Sequence, residues 1–313
     1  MLAQPSEIRG WGKDELRENL MRLLKGHHGA VRCLAHSPDG ERLASGGDDR
    51  EIHLWTRQGS PLTRFTTHGD WIRALEFSRD GKNLLSASWD DSVVQWNLTR
   101  QKRSVQVGGF HGGAWSLAFS PGGEILAVGA GDGKVRLLRG LEDRNPLTVP
   151  AHRWPVAAVA FTPDGQYLLT ASHDSTVRIW TAAWGRDQGI LVGHKDWVRS
   201  ISVSPNGRLV ASGADDGRIF LWSLTEKKQV GLLLGHRDAV TRVAFCPDGR
   251  GLISVGWDGT ARLWDTRTAR QCNAYQWQTG RLLSLSVAPD GMTAAAGGQD
   301  GTVVVWDLDP LDE

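Results

Sequence analysis

A tryptophan at the end of a short apolar run recurs through this 313-residue chain at a nearly constant interval. Leu138 replaces it once, in the third of seven positions. The other six positions are Trp55, Trp96, Trp180, Trp222, Trp264 and Trp306. Neighbouring positions are separated by 41 residues once and by 42 residues five times. This period predicts a fold of seven equivalent units, none of which carries a large insertion.

Each unit also contains a tight-turn signal. Four units have a residue followed by Pro-Asp-Gly, at 37–40, 162–165, 246–249 and 288–291, and the other three have close variants at 78–81, 120–123 and 204–207. Proline presets φ in such a turn, and glycine accepts a positive φ. Between turns, apolar and polar residues alternate, as in 176–180, which is the pattern of a half-buried strand. Units of about 40–45 residues with four short strands are typical of β-propeller blades.

These patterns predict an all-β protein with a single seven-bladed propeller over residues 20–313. The blades are expected to end near residues 55, 96, 138, 180, 222, 264 and 306. The last unit has no fourth strand, and residues 20–24 resemble 230–234, which precede a Gly-His pair in the sixth unit. We therefore predict that residues near 20–24 complete the last blade and remove an exposed sheet edge. Residues 1–19, with Trp11, form an N-terminal arm whose structure the sequence leaves open.

The composition narrows the function classes. The formal net charge of +1 argues against an electrostatic grip on nucleic acid or on an anionic membrane. Three cysteines without a C-x-x-C pair favour a reducing compartment over a disulfide framework. The first 22 residues carry charges throughout, and no apolar run approaches the roughly 20 residues of a membrane span. We expect a cytoplasmic protein.

Five units share four residue types at constant spacing: a histidine, a hydroxyl residue, an aspartate and the strand-ending tryptophan. The sets are His27, Ser45, Asp49 and Trp55; His68, Ser86, Asp90 and Trp96; His152, Thr170, Asp174 and Trp180; His194, Ser212, Asp216 and Trp222; and His236, Ser254, Asp258 and Trp264. From about residue 20 to 308 the chain resembles the WD40-repeat family. The resemblance implies that each set forms a buried hydrogen-bond network in which every polar group finds a partner.

Two units depart from this pattern. The third has Phe110, Val128 and Leu138 in the histidine, hydroxyl and tryptophan positions, and the seventh has Gln278 and Ala296 in place of histidine and serine. We expect these two blades to depend on apolar packing alone.

Features that look catalytic or metal-binding are interpreted as structural. The His/Ser/Asp sets resemble hydrolase triads, but each hydroxyl is committed to a tryptophan within a repeat. The glycine-rich segment 129–134 falls in an inter-strand turn and not between a strand and a helix, where a phosphate loop lies. The remaining histidines show no metal-ligand spacing. We predict no catalytic residue, no metal and no cofactor.

The resemblance also assigns three positions per unit to the narrow end of the ring, where WD40 proteins commonly hold ligands. They are the third and fifth residues after the network histidine and the residue before the network aspartate. The predicted partner-binding face consists of Arg32, Asp48, Trp71, Arg73, Trp89, Trp115, His173, Trp197, Arg199, Asp215, Trp257 and Arg281. Indole and guanidinium groups are enriched in interface hot spots. The alternative is that these tryptophans pack flat across the rim or stack on arginines without binding anything.

We interpret the chain as a non-enzymatic scaffold or adaptor that binds a peptide or domain of one or more protein partners. The arginines suggest a ligand with carboxylates or phosphates near an apolar or aromatic anchor. Alternatives are a small-molecule or glycan binder, because tryptophan also stacks on sugars and cations, and an enzyme that uses the central channel. A regulatory subunit of a larger complex, in particular a bacterial multi-protein sensing system, is compatible with the first interpretation.

Overall fold

The computed structural model describes residues 21–66 and 68–308, which form seven antiparallel sheets of four strands each. These sheets are blades one to seven, in the order of their first full-length strand. The predicted N-terminal arm lies outside the described residues. Within them no helix is long and apolar enough to cross a membrane.

The strands are short and regular, as the alternating pattern predicts. The segment β1 (Arg22–Leu24) precedes blade one. Blades one and two contain β2 (Val31–His36), β3 (Arg42–Gly47), β4 (Glu51–Thr56), β5 (Pro61–Thr66), β6 (Ile72–Phe77), β7 (Asn83–Ser88), β8 (Val93–Asn97) and β9 (Lys102–Val107). Blades three and four contain β10 (Ala114–Phe119), β11 (Leu126–Ala130), β12 (Val135–Leu138), β13 (Leu147–Val149), β14 (Val156–Phe161), β15 (Tyr167–Ser172), β16 (Thr176–Thr181) and β17 (Asp187–Val192). Blades five to seven contain β18 (Val198–Val203), β19 (Leu209–Ala214), β20 (Ile219–Ser223), β21 (Lys228–Leu233), β22 (Val240–Phe245), β23 (Gly251–Gly256), β24 (Thr260–Asp265), β25 (Arg270–Gln276), β26 (Leu282–Val287), β27 (Thr293–Gly298) and β28 (Val303–Asp307).

The ring closes through strand exchange between the two ends of the chain. Strand β1 pairs antiparallel with β28, so that Arg22 faces Val305 and Leu24 faces Val303. Leu24 is buried there, because the pairing brings it into the apolar layer between the last and first blades. The predicted closure is confirmed, and it gives blade seven its fourth strand.

The core consists of apolar layers shared by neighbouring blades. One layer joins Leu54 and Phe65 of blade one to Leu75 and Trp96 of blade two. The strand-ending tryptophans are all buried, at 1–5% exposure. Full burial of a large apolar side chain contributes roughly 1.5–3 kcal/mol, so each interface between blades stabilises both of its members.

In five blades a polar network crosses this layer. The histidine Nδ1 lies 2.7–3.4 Å from the aspartate carboxylate, and Nε2 lies 2.7–2.8 Å from the hydroxyl oxygen. The tryptophan Nε1 donates to the same hydroxyl at 2.8–3.0 Å. Burial alone would raise the pKa of Asp49, but hydrogen bonds from His27 and from the backbone N–H of His28 and Glu51 outweigh it and lower that pKa.

Blade three replaces the network with a different contact. Phe110 is buried beside Leu138, as the sequence suggests. The Arg136 guanidinium lies over the Phe110 ring, with its central carbon 5.6 Å from the ring centroid. Arg136 also donates at 2.8 Å to Asp132, which occupies the network aspartate position. The expectation of apolar packing alone was therefore wrong for this blade, because an arginine donates to the aspartate where five other blades have a histidine.

Blade seven keeps an unpaired donor. Trp306 packs against Trp277, with ring centroids 4.8 Å apart, and Ala296 leaves its buried Nε1 without a hydrogen-bond partner. The double substitution Ala296→Ser with Gln278→His would rebuild the set beside Asp300. We expect it to raise the free energy of unfolding by about 1 kcal/mol, the net worth of a typical hydrogen bond. Thermal unfolding followed by circular dichroism measures this, and an unchanged or lower melting temperature would contradict the assignment.

Candidate functional site

One end of the ring collects the predicted face positions through a repeated backbone contact. In every blade the N–H of the residue before the aspartate position donates to the C=O of the third residue after the histidine position, at 2.9–3.3 Å. In blade two this bond joins Trp89 to Trp71, and in blade five it joins Asp215 to Trp197. The side chains of each pair are therefore held beside each other at the same end of the sheet.

A β-bulge places the remaining face position. Each first strand has one residue more than its partner near its start, which interrupts the alternation of side chains between the two faces of the sheet. The extra residues are Arg32, Arg73, Trp115, Ala157, Arg199, Thr241 and Leu283. Because a bulge re-aims the side chain that it carries, these residues form a ring around the mouth of the central channel.

Aromatic side chains form a continuous arc across four blades. Trp71 stacks on Trp89 with ring centroids 4.8 Å apart, and Trp89 lies 5.6 Å from Trp115. Trp115 meets His173 edge-on at 5.2 Å, and His173 stacks on Trp197 at 4.2 Å. Each such pair adds roughly 0.5–1.5 kcal/mol beyond area burial, so the arc is a preorganised surface.

Arginines lie over the tryptophan rings at both ends of this arc and within it. Arg32 lies over Trp71 at 4.9 Å, and Arg73 lies over Trp115 at 4.9 Å. At the other end Arg199 joins Trp197 to Trp257, at 5.6 and 4.7 Å from their ring centroids. Arg281 lies over Trp257 at 4.6 Å.

Two of the arginines are neutralised by aspartates of their own blade. Arg32 donates to both carboxylate oxygens of Asp48, at 2.6 and 2.8 Å. Arg199 makes the same two-pronged contact with Asp215, whose Oδ2 accepts from Nη2 at 2.7 Å. Such bidentate pairs fix the orientation of the guanidinium plane, so these arginines serve as rigid supports for the tryptophans.

The arc is tightly packed yet partly open. Trp197 is 42% exposed, whereas His173 is buried. Burial, followed by the charges of Arg199 and Arg73, lowers the pKa of His173 to about 4. His173 is therefore uncharged near pH 7 and stacks as a neutral ring.

The structure thus brings all twelve predicted face residues into one connected set of contacts. Their self-stacking matches part of the alternative interpretation, because several indole faces are covered by neighbours. Trp154 and Trp184 are 58% and 67% exposed and lie outside the arc, since no ring contact joins them to it among the described residues. Trp277 is half-buried and packs against the apolar core that blades six and seven share.

Behind the mouth, the first strands enclose a channel with a cavity of about 250 Å³. Six blades place a small residue at the sixth position after the histidine position: Cys33, Ala74, Ser116, Ala158, Ser200 and Ser284. Blade six places Arg242 there. Two residues further along, six blades carry alanine or serine, and blade two carries Glu76.

Arg242 and Glu76 were missed by the sequence interpretation. The signal was available, because each is the single long charged residue in a sevenfold series of small ones. It could be found only by comparing the repeats at the positions that face the channel.

One group in the described part of the chain has metal-ligand character. His27, Asp49 and His53 place possible ligand atoms within 4.8 Å of one another. The Nδ1 of His27 is engaged with Asp49 at 2.8 Å, and His53 is engaged with Glu51 at 2.9 Å. The group is therefore an extension of the blade-one network.

Repetition of a four-stranded blade seven times around a channel defines the chain as a seven-bladed β-propeller. The profile of the family described as "IFT122 first beta-propeller" matches residues 6–183, that is 178 of the 313 residues. The profile described as "WD domain, G-beta repeat" matches residues 185–223, 227–265 and 271–307. The chain belongs to the WD40-repeat β-propeller family.

Several curated proteins share parts of this sequence. Periodic tryptophan protein 2 of Arabidopsis thaliana is 32% identical over 117 residues, which is 37% of this chain and 13% of that protein. Apoptotic protease-activating factor 1 of Homo sapiens is 38% identical over 90 residues, 26% of this chain and 7% of that protein. Telomerase protein component 1 of Mus musculus is 33% identical over 141 residues, 43% of this chain and 5% of that protein. The similarity spans a small part of each relative, so it concerns the repeats and not the whole proteins.

Proposed function

We propose that this chain is a non-catalytic scaffold or adaptor that binds a peptide segment or domain of a protein partner on its tryptophan–arginine face. The observation that carries the proposal is the connected arc of Trp71, Trp89, Trp115, His173 and Trp197 at the channel mouth. Membership of the WD40-repeat family, whose proteins commonly hold ligands at this end of the ring, supports it. We propose the cytoplasm as its location, on the composition alone.

The energetics of the face favour a protein ligand. Tryptophan and arginine dominate binding free energy where they are held rigidly in a desolvated centre. Ordering costs are small here, because stacking and the two bidentate ion pairs have already fixed the side chains. Stacking also covers indole faces that a sugar ring would need, so the arrangement supports a protein ligand better than a glycan.

Alanine substitution of the arc tests the proposal. The tagged protein is used to capture its partner from the native host, and the captured proteins are quantified by mass spectrometry. Trp71→Ala and Trp197→Ala are each expected to reduce the most enriched protein more than about tenfold, since hot-spot truncation costs at least about 2 kcal/mol. Both variants should stay folded, and the melting temperature should fall by only a few degrees, because the loss is confined to the stacking of Trp71 on Trp89 and of Trp197 on His173.

Trp184→Ala is the matched control. Trp184 is 67% exposed and lies outside the arc, beside Leu147 and Ala183 at the junction of blades three and four. Its loss should leave capture unchanged. Capture that survives both arc substitutions, or that falls equally in the control, would refute the assignment of this face.

A further inference from the structure

Two arginines at the channel mouth lack the acidic partners that their neighbours have. Arg32 and Arg199 are paired with Asp48 and Asp215. In the described part of the chain no carboxylate forms an ion pair with Arg73 or Arg242. Of the four guanidinium groups that line the pocket at the mouth, two are paired with carboxylates, and those of Arg73 and Arg242 are not.

The donors of these two side chains are also largely unused. The Nε of Arg73 is buried without a hydrogen-bond partner. Arg242 donates from Nη1 to the carbonyl of the adjacent Thr241 at 2.9 Å. A guanidinium has five N–H donors, so most of the hydrogen-bonding capacity of the pair is unused within the described part of the chain.

Arg73 and Arg242 border open space in the channel. Arg73 and Arg242 line both the chamber of about 250 Å³ inside the channel and the smaller pocket above it, which Arg32, Arg199 and Trp257 also line. The volume of the chamber exceeds the ~30 Å³ that one water occupies in the liquid. Glu76, the carboxyl in the channel wall, forms no ion pair with either arginine.

The electrostatic cost of this arrangement is visible in both side chains. Burial, followed by repulsion from Arg242, Arg32 and Arg199, lowers the pKa of Arg73 to about 9. Burial and the charges of Arg199 and Arg32 lower the pKa of Arg242 to about 10. Buried charges are normally paired, so an anion between them would relieve both effects.

We propose that Arg73 and Arg242 form an anion-binding site at the mouth of the channel, which takes a phosphate or carboxylate group. Trp115, which lies under the Arg73 guanidinium, forms the apolar wall beside it. The inference deepens the proposed function and rests on it, because it names the group that a bound partner segment would place in the channel.

Free anions test the site without a partner. Inorganic phosphate, O-phosphoserine and acetate are titrated into the full chain at constant ionic strength, with chloride as the balancing ion. Isothermal calorimetry and tryptophan fluorescence follow binding, the latter because Trp115 contacts Arg73. We expect saturable binding of phosphate and a rise in melting temperature with its concentration, as mass action requires for a ligand of the native state.

Arg73→Gln and Arg242→Gln should each weaken phosphate binding at least about tenfold, because charge-assisted hydrogen bonds are lost. Each variant should be as stable as the wild type without phosphate, or more stable, since an uncompensated charge is removed. The two substitutions are independent, so one remains informative where the other impairs folding. Arg208→Gln is the matched control. Arg208 is exposed on the turn between β18 and β19, at the opposite end of its blade. This variant should bind phosphate as tightly as the wild type does.

The outcomes separate the sources of the anion. Binding of O-phosphoserine at least as tight as that of phosphate supports a side chain delivered by a partner, and binding of phosphate alone supports a free ion at the same site. No saturable binding of any probe, or binding that is equal in both arginine variants and the wild type, would overturn the site. If that happens while Trp71→Ala still abolishes capture, the proposed function stands without the anion site. If the site binds phosphate but Trp71→Ala and Trp197→Ala capture the partner as well as the wild type does, the proposed function is refuted and the anion site is not.

Discussion

Replacing Ser86 by alanine is expected to lower the free energy of unfolding by about 2–4 kcal/mol, since a buried polar group left unsatisfied costs about 1–3 kcal/mol. The Ser86 hydroxyl accepts from the Trp96 indole at 2.9 Å and contacts His68 Nε2 at 2.7 Å. Alanine leaves Trp96 Nε1 and His68 Nε2 without their shared hydrogen-bond partner. Because Ser86 is fully buried, water cannot easily replace it there. Urea or thermal unfolding measures the loss, which should appear as an earlier transition.

Ser104→Ala is the control for this prediction. Ser104 is exposed on β9 of the same blade and donates to the carbonyl of Gln95, so its loss should stay within about 0.5 kcal/mol of the wild type. Addition of Trp96→Phe removes one of the stranded donors, and the double variant should therefore lose less than the sum of the two single variants. A Ser86→Ala variant as stable as Ser104→Ala would show that the network does not support the blade.

Glu76→Gln is expected to stabilise the protein at alkaline pH and to leave it unchanged near pH 4. Burial in the channel wall raises the pKa of Glu76 from 4.5 to about 7, and a backbone hydrogen bond from Phe119 offsets only part of that effect. As pH rises from 4.5 to about 7, the unfolded chain loses this proton first. Wild-type stability therefore falls across that window and then levels off.

Glutamine cannot ionise and so avoids this loss. The variant should exceed the wild type by about 1–3 kcal/mol at pH 8, because each unit of pKa shift corresponds to about 1.4 kcal/mol and channel water screens part of the charge. Unfolding at pH 4, 6 and 8 measures the difference. Glu226→Gln, which removes an exposed charge, is the control. Equal stability of Glu76→Gln and the wild type at pH 8 would contradict the prediction that ionised Glu76 destabilises the folded protein.

Repeats made much of this protein predictable. The constant spacing gave Trp96 and Ser86 equivalent positions in each repeat, and the resemblance to the WD40 family implied that they contact each other and that Trp71 and Trp89 lie at the same end of the ring. Residues near 20–24 could be assigned to the last blade because they match a fourth strand elsewhere in the chain. Local signals of this kind depend on residues close in sequence or one period apart.

Contacts between blades were not accessible in the same way. The ion pair of Arg136 with Asp132 lies within blade three, between residues four apart in sequence, and the sequence interpretation overlooked it. The stacking of His173 on Trp197 joins two blades whose relative position only ring closure decides. Arg242 could be found by comparing the seven repeats, but its place beside Arg73 in one pocket appears only in the closed ring.

The sequence by itself determined a closed ring of seven blades, since a period of 42 residues with turn, strand and tryptophan in fixed order has one stable way to bury its apolar faces. The resemblance to the WD40 family indicated which side chains lie at the mouth of that ring. Only the tertiary structure decided which of their charges are paired. Asp48 and Asp215 neutralise Arg32 and Arg199 within single blades, whereas Arg73 and Arg242 come from blades two and six and line one pocket only when the ring is closed.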